Sequence, residues 1–91
     1  MAEYVYRNAD DTARAVVFRD DFRVKPVGQR EAWDVRLFHD PPRKGDGTAL
    51  QAHGGTDGWP TRRAAKAAAT RLIGKLTSIN PKDSYTQGWD Q

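Results

Sequence analysis

Residues 59–76, WPTRRAAKAAATRLIGKL, are the stretch around which the rest of the chain is organised. Pro60 can set the chain's entry, and the Thr61 hydroxyl is placed to accept from a free N–H of a first helical turn. The alanines that follow lose almost no side-chain freedom in a helix. Ala65, Ala68, Ala69, Leu72 and Leu76 recur at spacings of three and four, which lays an apolar stripe along one side of a helix predicted over 61–76. Small residues near its start let that helix approach a sheet closely. The other side carries Arg62, Arg63, Lys66, Thr70, Arg71 and Lys75.

Ninety-one residues suffice for one domain with a modest core, about one sheet and one helix. There is no cysteine, hence no disulfide framework and no thiolate for zinc, iron–sulfur or nucleophilic chemistry, which suits a reducing, cytoplasmic compartment. The longest apolar runs are too short to cross a bilayer, and MAEYVYRNADD is acidic where a secretory leader would be basic and then apolar. Neither membrane nor export is implied. Arginine exceeds lysine ten to five and aspartate exceeds glutamate ten to two, a bias that hints at a GC-rich bacterial or phage genome.

Charge is unevenly placed. Residues 1–60 carry nine basic and ten acidic side chains, residues 61–76 five basic and none acidic, and residues 77–91 one basic and two acidic. The whole positive excess of +3 therefore sits on the predicted helix, where it creates a local field that the remainder does not cancel. Long basic side chains also solvate ordinary helix faces. Such faces usually mix acids with bases, and the absence of any acid over sixteen residues favours an anionic partner.

In chain order, residues 1–12 read as a loosely ordered end in which Tyr4, Val5 and Tyr6 have the makings of a short edge strand. Ala13–Phe18 reads as a strand. Phe22–Val27 reads either as a second extended piece or as the continuation of one long bent strand, since Val16, Phe18, Phe22 and Val24 share a parity. Glu31–Phe38 is the clearest strand, with Trp33, Val35 and Leu37 alternating against Asp34, Arg36 and Phe38. HDPPRKGDG over 39–47 is a loop long enough to carry function. Thr48–His53 is a weaker strand, with Leu50 and Ala52 inward and Gln51 and His53 outward. Trp59 is placed to staple the helix start. Pro81 ends any helix, and Tyr85 and Trp89 give the tail side chains with which to fold back.

The expected architecture is an α+β domain over 13–78: a three- to four-stranded antiparallel sheet with one helix across one face, flanked by a loose segment 1–12 and a tail 79–91. The opposite sheet face is expected to be open and to carry Arg23, Lys25, Arg36, Phe38, Gln51 and His53, interrupted by Asp34. Guanidinium groups interleaved with an aromatic can reach phosphates and base edges, although the same pattern suits a solvated face.

The order strand, strand, strand, helix, with an arginine-bearing sheet and a Thr-capped Ala-rich helix, resembles AP2-type DNA-binding domains and the arm-binding domains of phage integrases. That resemblance implies a sheet presented to a DNA major groove through Arg23, Lys25 and Arg36. TRRAAKAAATRLIGKL is also similar to the last helix of double-stranded-RNA-binding domains. Their basic start grips phosphates, a role the resemblance implies for Arg62, Arg63 and Lys66.

Catalysis finds little footing. His39 beside Asp40, with His53 a strand away, offers an acid/base pair without a third group at recognisable spacing. Two histidines and scattered aspartates lack metal-ligand spacing, and the glycines of GDG and HGG form no phosphate-binding fingerprint. No cofactor is implied. Two function classes follow: a small non-enzymatic nucleic-acid-binding protein, DNA before RNA, or a protein-interaction module that engages a host protein through Trp59, Trp89 or the 39–47 loop, as monomer or homodimer.

Overall fold

A computed structural model describes residues 3–54 and 58–80. Four antiparallel strands, β1 (Glu3–Asn8), β2 (Ala13–Arg19), β3 (Trp33–His39) and β4 (Leu76–Ile79), form one sheet in the order β3-β2-β1-β4. Among the described residues two helices accompany the sheet, a short α1 (Gln51–Gly54) and the long α2 (Arg62–Ile73). The α+β class, the antiparallel sheet and the helix laid over one face follow the expectation; the strand inventory does not.

Helix α2 starts where its sequence says it should. Thr61, in extended conformation, caps it by accepting from Ala64 N at 3.1 Å. It ends three residues early, at Ile73. Gly74 takes φ +91, a left-handed value that side chains with a Cβ avoid, and its N–H closes on Thr70 O at 2.9 Å. Leu76, expected on the helix, is instead the first residue of β4 and is buried from there. Leu72 has the right helical phase for the core but is 60% exposed and borders an open cleft at this end of the domain.

The helix-facing core comprises Tyr6, Ala15, Val17, Trp33, Val35, Ala65, Ala69 and Leu76, with Leu37, Leu50, Trp59 and Ile73 packed at its margin. Ala65 and Ala69 are completely buried against the sheet. The expected inward set Trp33, Val35 and Leu37 is observed on β3. On β2 the inward pair is Ala15 and Val17, not Val16 and Phe18. The reason is that both faces of β2 are covered, so every residue from Ala13 to Phe18 is buried and alternation carries no signal.

The opposite sheet face, expected to be open, is instead a second core. Val5, Val16 and Phe38 pack together with Ile79 beside them, and Phe18 is buried on the same face. Glu3–Asn8, expected to be loose or at most an edge, lies between β2 and β4 and pairs with both. Its anchor is Asn8, 3% exposed. The amide accepts from Thr12 N (2.9 Å) and Ala13 N (3.1 Å) and donates to Thr12 Oγ1 (2.9 Å) and Ile73 O (3.0 Å), which ties the β1–β2 turn to the end of α2.

Thr48–His53 is not a strand. Ala49 makes a single bridge to Arg36, Leu50 N donates to Val35 O at 2.9 Å, and the chain then turns into α1. Asp34 Oδ1 accepts from Gln51 N at 3.2 Å, which gives the first turn of α1 a buried acceptor and pulls the chain off the sheet edge. Phe22–Val27 is also not extended sheet but part of the long connection between β2 and β3. The side chain of His53 and all of Tyr85 and Trp89 lie outside the described residues.

Candidate nucleic-acid interface

The sequence places basic residues at 62 and 66 on the helix and aromatic residues at 4 and 6 on β1. Four helical residues rise about 6 Å and two strand residues span about 6.7 Å, so an i, i+4 pair on α2 matches an i, i+2 pair on a strand beneath it. The structure contains that match. The Arg62 guanidinium carbon lies 4.1 Å from the Tyr4 ring centroid and Lys66 Nζ lies 5.0 Å from that of Tyr6. Each cation sits on the negative face of a ring, a contact that fixes its position without neutralising it. The Tyr4 ring rests 6.1 Å from that of Trp33, so the platform is continuous with the core. Burial raises the Tyr6 hydroxyl above its ordinary pKa, against an opposing pull from Arg62, and the phenol stays neutral in the physiological range.

Arg63, Arg71 and Lys75 are exposed on the same helix and its exit. Among the described residues no carboxylate lies within ion-pair distance of Arg62, Arg63, Lys66, Arg71 or Lys75. Four of these cations lie on α2 and Lys75 follows its end, so among the described residues the positive charge read from composition stands along one helix and its exit without an ion-pair partner.

The other three sequence candidates are not gathered with them. Arg23 contacts Asp20 at 3.3 Å and Asp34, whose side chain is 1% exposed, at 3.2 Å, which makes it a structural anchor. Lys25 lies in the β2–β3 connection and donates to the Arg23 carbonyl at 3.3 Å. Arg36 is exposed on the face away from α2, its guanidinium 4.6 Å above the Phe18 ring. Because Arg23 and Lys25 lie in the β2–β3 connection and not on a strand, the three do not form a basic sheet surface. Of the two tryptophans considered for a protein contact, Trp59 is half-buried and exchanges backbone hydrogen bonds with Trp33 at 2.7 and 2.9 Å; Trp89 lies outside the described residues. The platform residues Tyr4 and Tyr6 were missed by sequence reasoning. Their i, i+2 spacing is the signal available in the sequence.

At the opposite end of the domain, His39 borders an open cleft of about 190 Å³ lined also by Asn8, Asp10, Thr12, Arg43 and Leu72. His39 Nδ1 lies 2.7 Å from Asp46 Oδ1, so the partner of His39 is Asp46 and not the adjacent Asp40. Asp46 Oδ2 accepts from His39 N at 2.8 Å and Arg43 N at 3.0 Å. Burial by itself would raise the Asp46 carboxyl; these hydrogen bonds from Arg43 and His39 outweigh it and hold the group below its ordinary 3.8. A depressed carboxyl contributes stability above its unfolded value and loses it as pH falls through the folded one. Thermal melts of wild type and Asp46→Asn are therefore expected to differ most near neutrality and to converge as pH falls below the ordinary carboxyl value of 3.8; a gap that widens in acid would contradict the assignment.

Among the described residues no three potential ligand side chains gather as a metal site, and no helix is long and apolar enough to cross a membrane. No protein-family model, curated protein or solved structure matches the chain.

Proposed function

We propose that this protein binds nucleic acid through the basic side of α2, with Arg62, Arg63 and Lys66 as the central phosphate contacts and Arg71 and Lys75 extending the track. The observation that carries the reading is the set of five cations without a carboxylate partner among the described residues, two of them seated on tyrosine rings. Cations held in fixed positions lose less freedom on meeting a phosphate chain than free lysines and arginines do, so each contact costs less entropy to form. The similarity of α2 to the last helix of double-stranded-RNA-binding domains points the same way. No catalytic step is part of the reading.

A salt titration of binding to labelled duplex DNA, duplex RNA and single strands tests it. Neutralising three phosphates corresponds to a slope near −2.7 in log K against log salt, roughly a fortyfold loss between 50 and 200 mM. The Arg62→Ala, Arg63→Ala, Lys66→Ala triple variant is expected to bind more weakly on every sequence and to flatten the slope by about that amount. Equal slopes for variant and wild type would remove these residues from the interface. Docking to a host protein is the second reading, and one observation favours it: Phe22, Val24 and Val27 stand exposed on a single loop.

A further inference from the structure

The cleft that His39 borders is put together from segments that the sheet register brings side by side. Ala13 lies opposite His39 in the β2–β3 ladder, and Asn8 at the end of β1 donates to the Ile73 carbonyl, so the ends of three strands meet the last turn of α2 around one hollow. The β1–β2 turn contributes Asp10 and Thr12, and the 39–47 loop contributes Arg43. Pockets for drug-sized molecules span roughly 300–1,000 Å³, and this cleft, at about 190 Å³, falls below them. Its occupant is therefore smaller than a nucleotide.

Four groups lining the cleft have bonding capacity to spare. Asp10 and Arg43 are exposed, and among the described residues neither has an ion-pair partner. His39 turns Nδ1 to Asp46, a carboxylate that can only accept, so in the neutral ring Nε2 is an acceptor, and no described residue donates to it. Thr12 Oγ1 accepts from Asn8 Nδ2 at 2.9 Å, which leaves its own proton to be donated. Asp46 also accepts from the backbone N–H groups of His39 and Arg43, so the imidazole and the base of Arg43 are fixed to one another before any ligand arrives. Beside these polar groups stands Leu72, an apolar side chain left largely in water. The charged side chains lining the cleft are thus one anion and one cation, a balance that favours neither a bare phosphate nor a metal ion. A molecule that complements both carries an ammonium for Asp10 and His39 Nε2, a carboxylate for Arg43 and the Thr12 hydroxyl, and an apolar body to cover Leu72.

We propose that this cleft binds a free amino acid with an apolar side chain, held by its two charged groups between Asp10 and Arg43. The inference stands apart from the nucleic-acid reading of α2 and does not need it. The test titrates the isotopically labelled full chain with leucine, glycine, leucinamide, N-acetylleucine and inorganic phosphate, each up to about 10 mM, and follows backbone amide shifts by two-dimensional NMR. Leucine is expected to move the amides of Thr12, Arg43 and Leu72 saturably. Leucinamide lacks the carboxylate and N-acetylleucine the ammonium, so each should bind at least about tenfold more weakly, the order of one lost hydrogen bond to a charged group. Glycine, with no side chain to lay on Leu72, should also bind more weakly than leucine. Asp10→Asn is expected to weaken leucine by a similar factor and to leave N-acetylleucine unchanged, whereas Arg43→Gln should weaken leucine and leave leucinamide unchanged. Among the described residues neither side chain makes a hydrogen bond or ion pair, so both variants should keep the wild-type spectrum away from the cleft. Absence of a saturable shift with leucine overturns the proposal, as does leucine binding that both substitutions leave intact. Leucinamide or N-acetylleucine binding as tightly as leucine overturns it too, because one charge would then suffice. Phosphate that moves the same amides more strongly than leucine does would make the cleft an anion site and overturn the assignment.

Discussion

Asp34→Ala is expected to destabilise the protein by about 3–5 kcal/mol, the usual effect of removing one partner of a buried ion pair. Asp34 lies on the clearest strand, at a position alternation assigns to solvent, yet its side chain is 1% exposed. Its Oδ1 accepts from Val35 N at 2.7 Å and Gln51 N at 3.2 Å, and its Oδ2 from Arg23 at 3.2 Å. Three separate pieces of chain therefore meet at one carboxylate: β3, the start of α1 and the β2–β3 loop. Truncation leaves the Arg23 guanidinium without its most buried partner and two backbone N–H groups without acceptors. A domain of this size has a total stability of roughly 5–15 kcal/mol, so the loss takes a large share of it, and the melting temperature should fall by at least about 12 °C. Asp34→Asn keeps an acceptor for the backbone groups but loses the charge, and should fall between. Urea unfolding of the three proteins measures this; an alanine variant with the wild-type midpoint would mean that the carboxylate does not hold these segments together.

The second large effect is expected at Asn8. Its amide makes four hydrogen bonds from a buried position, two as acceptor and two as donor, and no other polar side chain replaces that set. Asn8→Ala removes all four and leaves the Ala13 N–H and the Ile73 carbonyl short of partners at the junction of β1, β2 and α2, a loss of about 3 kcal/mol. Asn8→Asp keeps the acceptor but sets a carboxylate oxygen against the Ile73 carbonyl, so it should be no more stable than alanine. Denaturant midpoints for both variants check the claim, and an aspartate variant matching wild type would refute the donor role. Hydrogen exchange adds a local readout: protection at Ala13 should drop further in the variants than protection at Val17, which lies in the centre of β2.

Both residues show why part of this fold was legible in the sequence and part was not. Alternation identified β3 because its helix-facing residues are apolar and its other face is mixed. The same rule failed on β2, buried on both faces, and on β1, whose tyrosines look like a loose end until β2 and β4 close on either side. The segment 48–53 has strand-like alternation but leaves the sheet because Asp34, distant in sequence, offers its carboxylate to Gln51 N. No local pattern contains that acceptor.

The basic candidates divide along the same line. Arg62, Arg63 and Lys66 were recognisable because charge on a helix is a one-dimensional property: a run of bases without acids remains basic wherever the helix packs. Whether Arg23, Lys25 and Arg36 form a surface depends on which carboxylates and which face they meet in three dimensions. Arg23 meets a buried aspartate, Lys25 a backbone carbonyl, and Arg36 the far side of the sheet.

By itself the sequence determined the α+β class, the capped Ala-rich helix and its cationic side, because helix capping, side-chain entropy and net charge act over a few neighbouring residues. Only the tertiary structure decided that the first strand is interior, that the second sheet face is a core, that the tyrosines of β1 carry the cations of α2, and that Phe22, Val24 and Val27 face water. Each of those depends on contacts between segments far apart in the chain, and such contacts form only when the sheet closes.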